Sequence, residues 1–238
     1  MPTKSILPHA VLLTVISLLL FELTPLDLWL QQLFFDNHSH HWILSASERI
    51  SHLIFYDAPR LLFTLFVLFL GISLLFAKRL RISADNARNM RIVLLSLIMV
   101  PGCVSVLKSA TDIACPRDLT MFGGNVAYAS VFEHHAKSGE THARRRCFPA
   151  GHASGGFALM SLSFLFSTRR NRRRAMYFGL TVGWTTGIYK ILIGDHFIGH
   201  TVISMCLAWT IIQMIARIEH HRLSRRKSRE FAAPETIG

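Results

Sequence analysis

His152 and His196 each stand at the edge of an apolar run instead of in a polar loop, and His200 follows His196 by one helical turn. One imidazole can attack phosphorus while a second protonates the leaving oxygen. Around them the sequence sets Lys108, Arg117, Lys190 and the triplet Arg144-Arg145-Arg146. Guanidinium groups match phosphate oxygens with paired hydrogen bonds and ammonium groups act as point charges, so such a set of cations suits an anion. Each histidine alone reads as an interfacial packing residue, and the Arg triplet alone as loop solubility. Together they point to phosphoryl transfer, in which fixed positive charge holds the equatorial oxygens as charge redistributes.

Side chains of this kind need a scaffold to hold them, and composition narrows what that scaffold is. The 238 residues are 51% hydrophobic and 17% charged, with mean hydropathy +0.36, too apolar for an ordinary soluble protein. Six runs approach the length needed to cross a hydrocarbon core of about 30 Å: residues 8–24, 60–77, 92–108, 152–168, 175–193 and 197–217. The expected fold is all-α, a polytopic membrane protein of six transmembrane helices whose bundle carries the site at its outer interface. One membrane-embedded domain covers 1–238, with its motifs in 108–200 and a basic tail over 218–238. The segment Leu28 to Ile54, with Trp29, Phe34, Phe35 and Trp42, reads as an amphipathic stretch at that interface, suited to guiding a lipid inward. No small-residue cleavage site follows the apolar stretch Ala10 to Phe21, so the first helix is expected to be retained.

A net charge of +12 raises the question of nucleic acid, and the location of the charge argues against it. Of 26 Lys and Arg, 17 fall in four places: Lys4, the Lys78–Arg91 loop, Arg169–Arg174, and the tail from Arg217. With six spans all four lie on one side, the pattern of cytoplasmic loops and contact with anionic headgroups. Both termini are then cytoplasmic, and residues 25–59, 109–151 and the corner Gly194–His196 face outward. No nucleic-acid partner is expected.

In spacing, the chain resembles the type 2 phosphatidic acid phosphatase superfamily of integral membrane lipid phosphatases. That family's signature is Lys, six residues, Arg-Pro; then Pro-Ser-Gly-His; then Ser-Arg, five residues, His, three residues, Asp. Here Lys108 is followed after six residues by Cys115-Pro116 and Arg117; the second part reads Pro149-Ala150-Gly151-His152; the third reads Tyr189-Lys190, five residues, His196, three residues, His200. The resemblance implies that His196 is the nucleophile, forming a phosphohistidine, and His152 the general acid, with His200 at the position of the Asp that orients the nucleophile. It implies phosphate binding by Lys108, Lys190 and the Gly151 backbone, close to a helix start where the dipole favours an anion. The departures matter. Lys190 keeps charge without the planar fork, Cys115 replaces an Arg so that Arg117 or one of Arg144 to Arg146 must supply that cation, and neutral His200 contributes no negative charge. Asp195, Asp112 or Asp118 are candidate substitutes for the missing carboxylate, and Ser154 for the serine that Ala150 replaces.

The cysteines fall into two classes. Cys103 and Cys206 lie within spans as small apolar residues, whereas Cys115 and Cys147 share the outer loop on the oxidising side. A disulfide between them is expected, restricting the unfolded loop by about 2–4 kcal/mol. A metal site from His134, His135, His142, Glu133 and these cysteines is the alternative, but no tight ligand pair is present, so neither metal nor other cofactor is expected. Gly123-Gly124-Asn125 reads as a turn, and without a helix-opening Gly-Lys-Ser or Gly-Lys-Thr loop ATP use is not expected.

The expected protein is therefore a phosphatase of the bacterial inner membrane, acting from the outer face on the phosphate monoester or pyrophosphate of a lipid. By resemblance the substrates are undecaprenyl diphosphate, phosphatidate, phosphatidylglycerol phosphate or a lipid A phosphate. The rivals are a lipid-to-lipid phosphotransferase and a noncatalytic lipid-phosphate binder.

Overall fold

The computed structural model describes residues 6–44, 53, 57–131 and 145–232. The Arg144 of the triplet and the alternative metal ligands Glu133, His134, His135 and His142 lie outside the described residues.

Helices dominate. In chain order they are α1 (Leu7–Leu23), α2 (Leu26–Gln32), α3 (Ala58–Leu75), α4 (Ala84–Thr111), α5 (Gly151–Ala158), α6 (Arg169–Leu192) and α7 (Ile198–Ala232). A short antiparallel hairpin, β1 (Phe35–Asp36) with β2 (His41–Trp42), follows α2 and pairs Phe35 with Trp42. Three of these helices, α3, α4 and α7, are long and apolar enough to cross a membrane, and α1 with α2, bent by 71°, makes a fourth if the pair counts as one. Side chains on α3 such as Leu61, Leu62, Phe69 and Leu75 are exposed, and Leu70 is its one buried residue. Such a bare apolar surface suits hydrocarbon as solvent.

Two of the six expected spans fall short of that standard. The run at 152–168 divides into the eight residues of α5 and a 3-10 stretch over Leu159–Leu165, and α6 is enriched in Gly and Thr along its buried face. Those small residues serve packing. A Cβ on Gly156 would lie 2.5 Å from Cα of Gly183, and one on Gly179 would lie 2.3 Å from the Met160 backbone. The segment from α5 through the 3-10 stretch therefore lies almost backbone to backbone on α6. Phe157, fully buried, covers Gly183 and meets Trp184 edge-on.

The basic blocks expected as loops and tail are helical in part: Lys78, Arg79 and Arg81 stand in a turn, while Arg88 and Arg91 lie in α4 and Arg169–Arg174 in α6. Ser83 caps α4 by accepting from the Asn86 N–H at 3.3 Å, and Thr168 caps α6 by accepting from Asn171 at 3.3 Å. Both helices thus begin ahead of their arginines, which are good helix formers, and α7 runs on to Ala232. At this end of the bundle Glu219, only 3% exposed, binds Arg91 at 3.0 Å and Arg222 at 3.2 Å. The far ends of α4 and α6 and the near ends of α5 and α7 meet at the opposite pole.

Candidate active site

Chain direction brings the chemistry together. Lys108 lies in the last turn of α4, His152 in the first turn of α5, Lys190 in the last turn of α6, and His196 and His200 flank the start of α7. The rings of His152 and His196 have centroids 6.4 Å apart, and those of His196 and His200 6.0 Å. His196 is 2% exposed, whereas His152 stands on the exposed side. A Cβ placed on Gly151 would lie 3.9 Å from Lys108 Cδ and Nζ, so the ammonium sits over the first turn of α5. Ala150, the N-cap of α5, offers no side-chain cap, which leaves the positive end of that helix facing the same pole.

The turn from α6 to α7 is built around Lys190. Its carbonyl accepts from the N–H groups of Asp195 at 2.8 Å and His196 at 3.2 Å, and its Nζ meets Asp195 Oδ2 at 2.7 Å. Gly194 takes φ +74°, and a Cβ there would strike the Trp42 indole at 2.3 Å. The β hairpin is therefore a wall pressed on this corner, with the rings of Phe35, Trp42 and Phe122 packed tilted or edge-on at centroid distances of 4.9 to 5.4 Å. Of the expected amphipathic segment, Phe35 and Trp42 face inward, while Trp29 and Leu33 remain exposed. Gln31, fully buried, donates to the Ile191 carbonyl at 3.1 Å, and Asp27 accepts from the Gly199 N–H at 2.7 Å, capping α7 from a distant helix. Sequence reading missed Asp27 and Gln31, whose only signal is two polar residues in an apolar helix.

Cys115 and Cys147 are joined by a disulfide, with Cα atoms 5.1 Å apart. It ties the 3-10 turn Pro116–Asp118 to the strand-like approach to α5, where Cys147 N–H donates to the Ile113 carbonyl at 3.1 Å. Cys147, His196 and His200 group their donor atoms within 4.8 Å. With its sulfur bonded to Cys115, Cys147 has no thiolate to offer, so as it stands the trio lacks the sulfur donor of a metal set.

Several of the expected site residues have partners within the chain. Arg117, like Lys190, is ion-paired: its guanidinium meets Asp195 Oδ1, and its backbone N–H donates to the Gly194 carbonyl at 3.0 Å. Asp195 is taken up by Arg117 and Lys190. Asp112 accepts from the Arg145 N–H at 2.5 Å, and Asp118 from the Cys115 N–H at 3.3 Å. The three carboxylates are therefore committed elsewhere, and the charges that bear on His196 are those of His200, Lys108, His152 and Lys190. The Ser154 hydroxyl donates to the Gly151 carbonyl at 2.7 Å and is fully buried, so it does not replace the missing serine. Arg146 is exposed and near enough to Lys108 to repel it. His200 packs edge-on between Phe148 and Phe197 at 5.1 and 5.2 Å, with its Nδ1 buried and unpartnered among the described residues.

Burial, reinforced by the neighbouring cationic groups, holds the His196 imidazole well below its ordinary pKa. It is therefore neutral at neutral pH, with a lone pair for an electrophile. A neutral buried imidazole beside an exposed one, under two ammonium groups and an uncapped helix end, is an arrangement that can accept a phosphoryl group and steady its oxygens.

No curated protein and no solved structure matches the chain significantly. A family model for the PAP2 superfamily matches residues 89–224, more than half of the sequence, and that span contains Lys108, His152, Lys190, His196 and His200. The chain belongs to the PAP2 superfamily.

Proposed function

We propose that this protein is an integral membrane phosphatase that removes phosphate from a lipid phosphate monoester or pyrophosphate through a phosphohistidine at His196. Family membership supports phosphatase-type chemistry. The observation that carries the finer reading is the convergence of His152, His196, Lys108 and Lys190 at the pole opposite the Arg91–Glu219–Arg222 cluster.

In the first step His196 attacks phosphorus in line, the P–O bond to the lipid breaks, and His152 gives its proton to the leaving oxygen. In the second, His152 takes a proton from water, which displaces the imidazole and releases inorganic phosphate. Lys108, Lys190 and the N–H groups at the start of α5 hold the equatorial oxygens throughout. His152 suits the acid role because it is exposed while His196 is buried. Six crossings of a bacterial inner membrane, with α5 and α6 completing the bundle and the site outward, fit the basic cluster at the other pole. Exposed Trp29 and Leu33, on and just after α2, whose Gln31 bonds the end of α6 and whose Asp27 bonds the start of α7, suit a lipid substrate over a soluble one.

The test is phosphate release by purified protein in detergent from a panel of lipid phosphates and diphosphates, with His196→Ala, His152→Ala and an EDTA arm. Release abolished by both substitutions and indifferent to EDTA is the expected result. Equal release by wild type and variants would remove both histidines from the chemistry. Transfer to a second lipid without free phosphate would mark a phosphotransferase, and no turnover of any lipid would mark a binder.

A further inference from the structure

We infer that the Cys115–Cys147 disulfide is a positioning element for His196, fixing its proton on Nδ1 so that the Nε2 lone pair is the one presented to phosphorus. This rests on the proposed role of His196 as nucleophile. Cys147 Sγ lies 3.5 Å from His196 Nδ1, within the range of an N–H···S contact, in a pocket where both groups are buried. A sulfur in a disulfide carries no proton, so it can only accept. The contact is favourable with the proton on Nδ1 and repulsive between two lone pairs with the proton on Nε2.

Among the described residues, nothing else at this face competes for the role. The charges bearing on His196 include no carboxylate, and Asp195, adjacent in sequence, is bound to Lys190 and Arg117. His200 stands where the resemblance implies an orienting carboxylate, and it lies among Phe148 and Phe197. The same sulfur lies 2.7 Å from the Asp195 carbonyl oxygen, to which a disulfide sulfur has no proton to give. A free thiol at Cys147 would not impose the same choice, because its proton can go to the Asp195 carbonyl or to Nδ1. The bond to Cys115 thus makes the acceptor one-way.

The experiment is nitrogen NMR on full-length protein labelled at the histidine ring nitrogens, in detergent, with His196 assigned by the signal lost in His196→Gln. The expected result is a protonated Nδ1 and a bare Nε2. A protonated Nε2 would overturn the inference. In Cys115→Ala/Cys147→Ala the tautomers are expected to mix and kcat to fall at least about tenfold with KM little changed, as when an orienting partner is lost. Adding His200→Asp to that pair should recover part of kcat by restoring an acceptor. If the pair merely tethers the loop, stability and KM change while the tautomer stays fixed, and the inference fails. Should the double variant not fold, the wild-type spectrum still decides. Activity that survives His196→Gln would sink the proposed nucleophile and leave the spectrum to judge the sulfur contact by itself.

Discussion

Lys190 Nζ sits 2.7 Å from Asp195 Oδ2 across the turn between α6 and α7, and Arg117 holds the other oxygen of the same carboxylate. One carboxylate thus pairs with two cations at the rim of an anion site, next to His196, and leaves the trio net positive. Lys190 and Asp195 side chains are 12% and 15% exposed, so the pair is shielded from water and salt.

That arrangement has opposite effects on stability and on anion binding. Asp195→Asn should cost about 1–3 kcal/mol, because two cations lose their shared partner. It should also tighten inhibition by inorganic phosphate by about 2- to 10-fold, since the site becomes more positive. Thermal unfolding and phosphate inhibition of the same preparation check both; weaker inhibition would mean that Asp195 organises the site more than it neutralises it.

Close packing of α5 on α6 makes two glycines unequal. Gly156→Ala drives a Cβ into the Gly183 backbone at 2.5 Å, whereas Gly71 has nothing within 4 Å of a Cβ. The first should cost about 1–3 kcal/mol. Gly71→Ala should be neutral or stabilising by up to about 1 kcal/mol, as a helix-interior change with no clash. Unfolding midpoints of the two variants compare them directly, and similar midpoints would refute the packing account.

The buried His196 gives stability a direction with pH. Unfolded, its imidazole takes a proton near pH 6.5; folded, burial and the cations delay that well below. Between those limits the unfolded chain binds more protons, so stability rises with pH there and declines as pH falls below 6.5. The slope from this group is at most about 1.4 kcal/mol per pH unit. A pH series of unfolding midpoints should show the decline in wild type and a smaller one in His196→Gln; parallel curves would assign the acid sensitivity elsewhere.

How much of this was legible beforehand follows from the physics of each part. Hydropathy located the apolar runs because exposed apolar residues such as Leu61 and Phe69 repeat without charge. The basic blocks were misjudged in part: Ser83 and Thr168 start helices ahead of arginines that favour helix as readily as loop, while Lys78, Arg79 and Arg81 do lie in a turn. Position at the ends of apolar runs, together with the family resemblance, singled out Lys108, His152, Lys190 and His196, each of which stands at or beside a helix end. The partners of Asp195 and Ser154 were not legible, as a carboxylate between two cations or a hydroxyl near a carbonyl chooses only once the chain is folded. Asp27 and Gln31 reach α7 and α6 across more than 150 residues, a distance no periodicity reports.

Asp27 offers a further test of such long-range support. Its carboxylate accepts from the Gly199 N–H at 2.7 Å, at the helix start that carries His196 and His200. Asp27→Ala should cost about 1–2 kcal/mol as a lost cap, and Asp27→Asn less. Because the cap sets where α7 begins, turnover should fall in the same order; turnover unchanged in Asp27→Ala would separate the cap from the site.

The central claim is that phosphorus is carried on His196. Rapid mixing of protein with a radiolabelled lipid phosphate, followed by denaturation in alkali, preserves a phosphohistidine that acid would destroy. The account predicts label bound to the chain, stable to alkali and released by acid, present in wild type and absent in His196→Ala. Label that persists in His196→Ala, or that resists acid as a phosphate ester does, would contradict it.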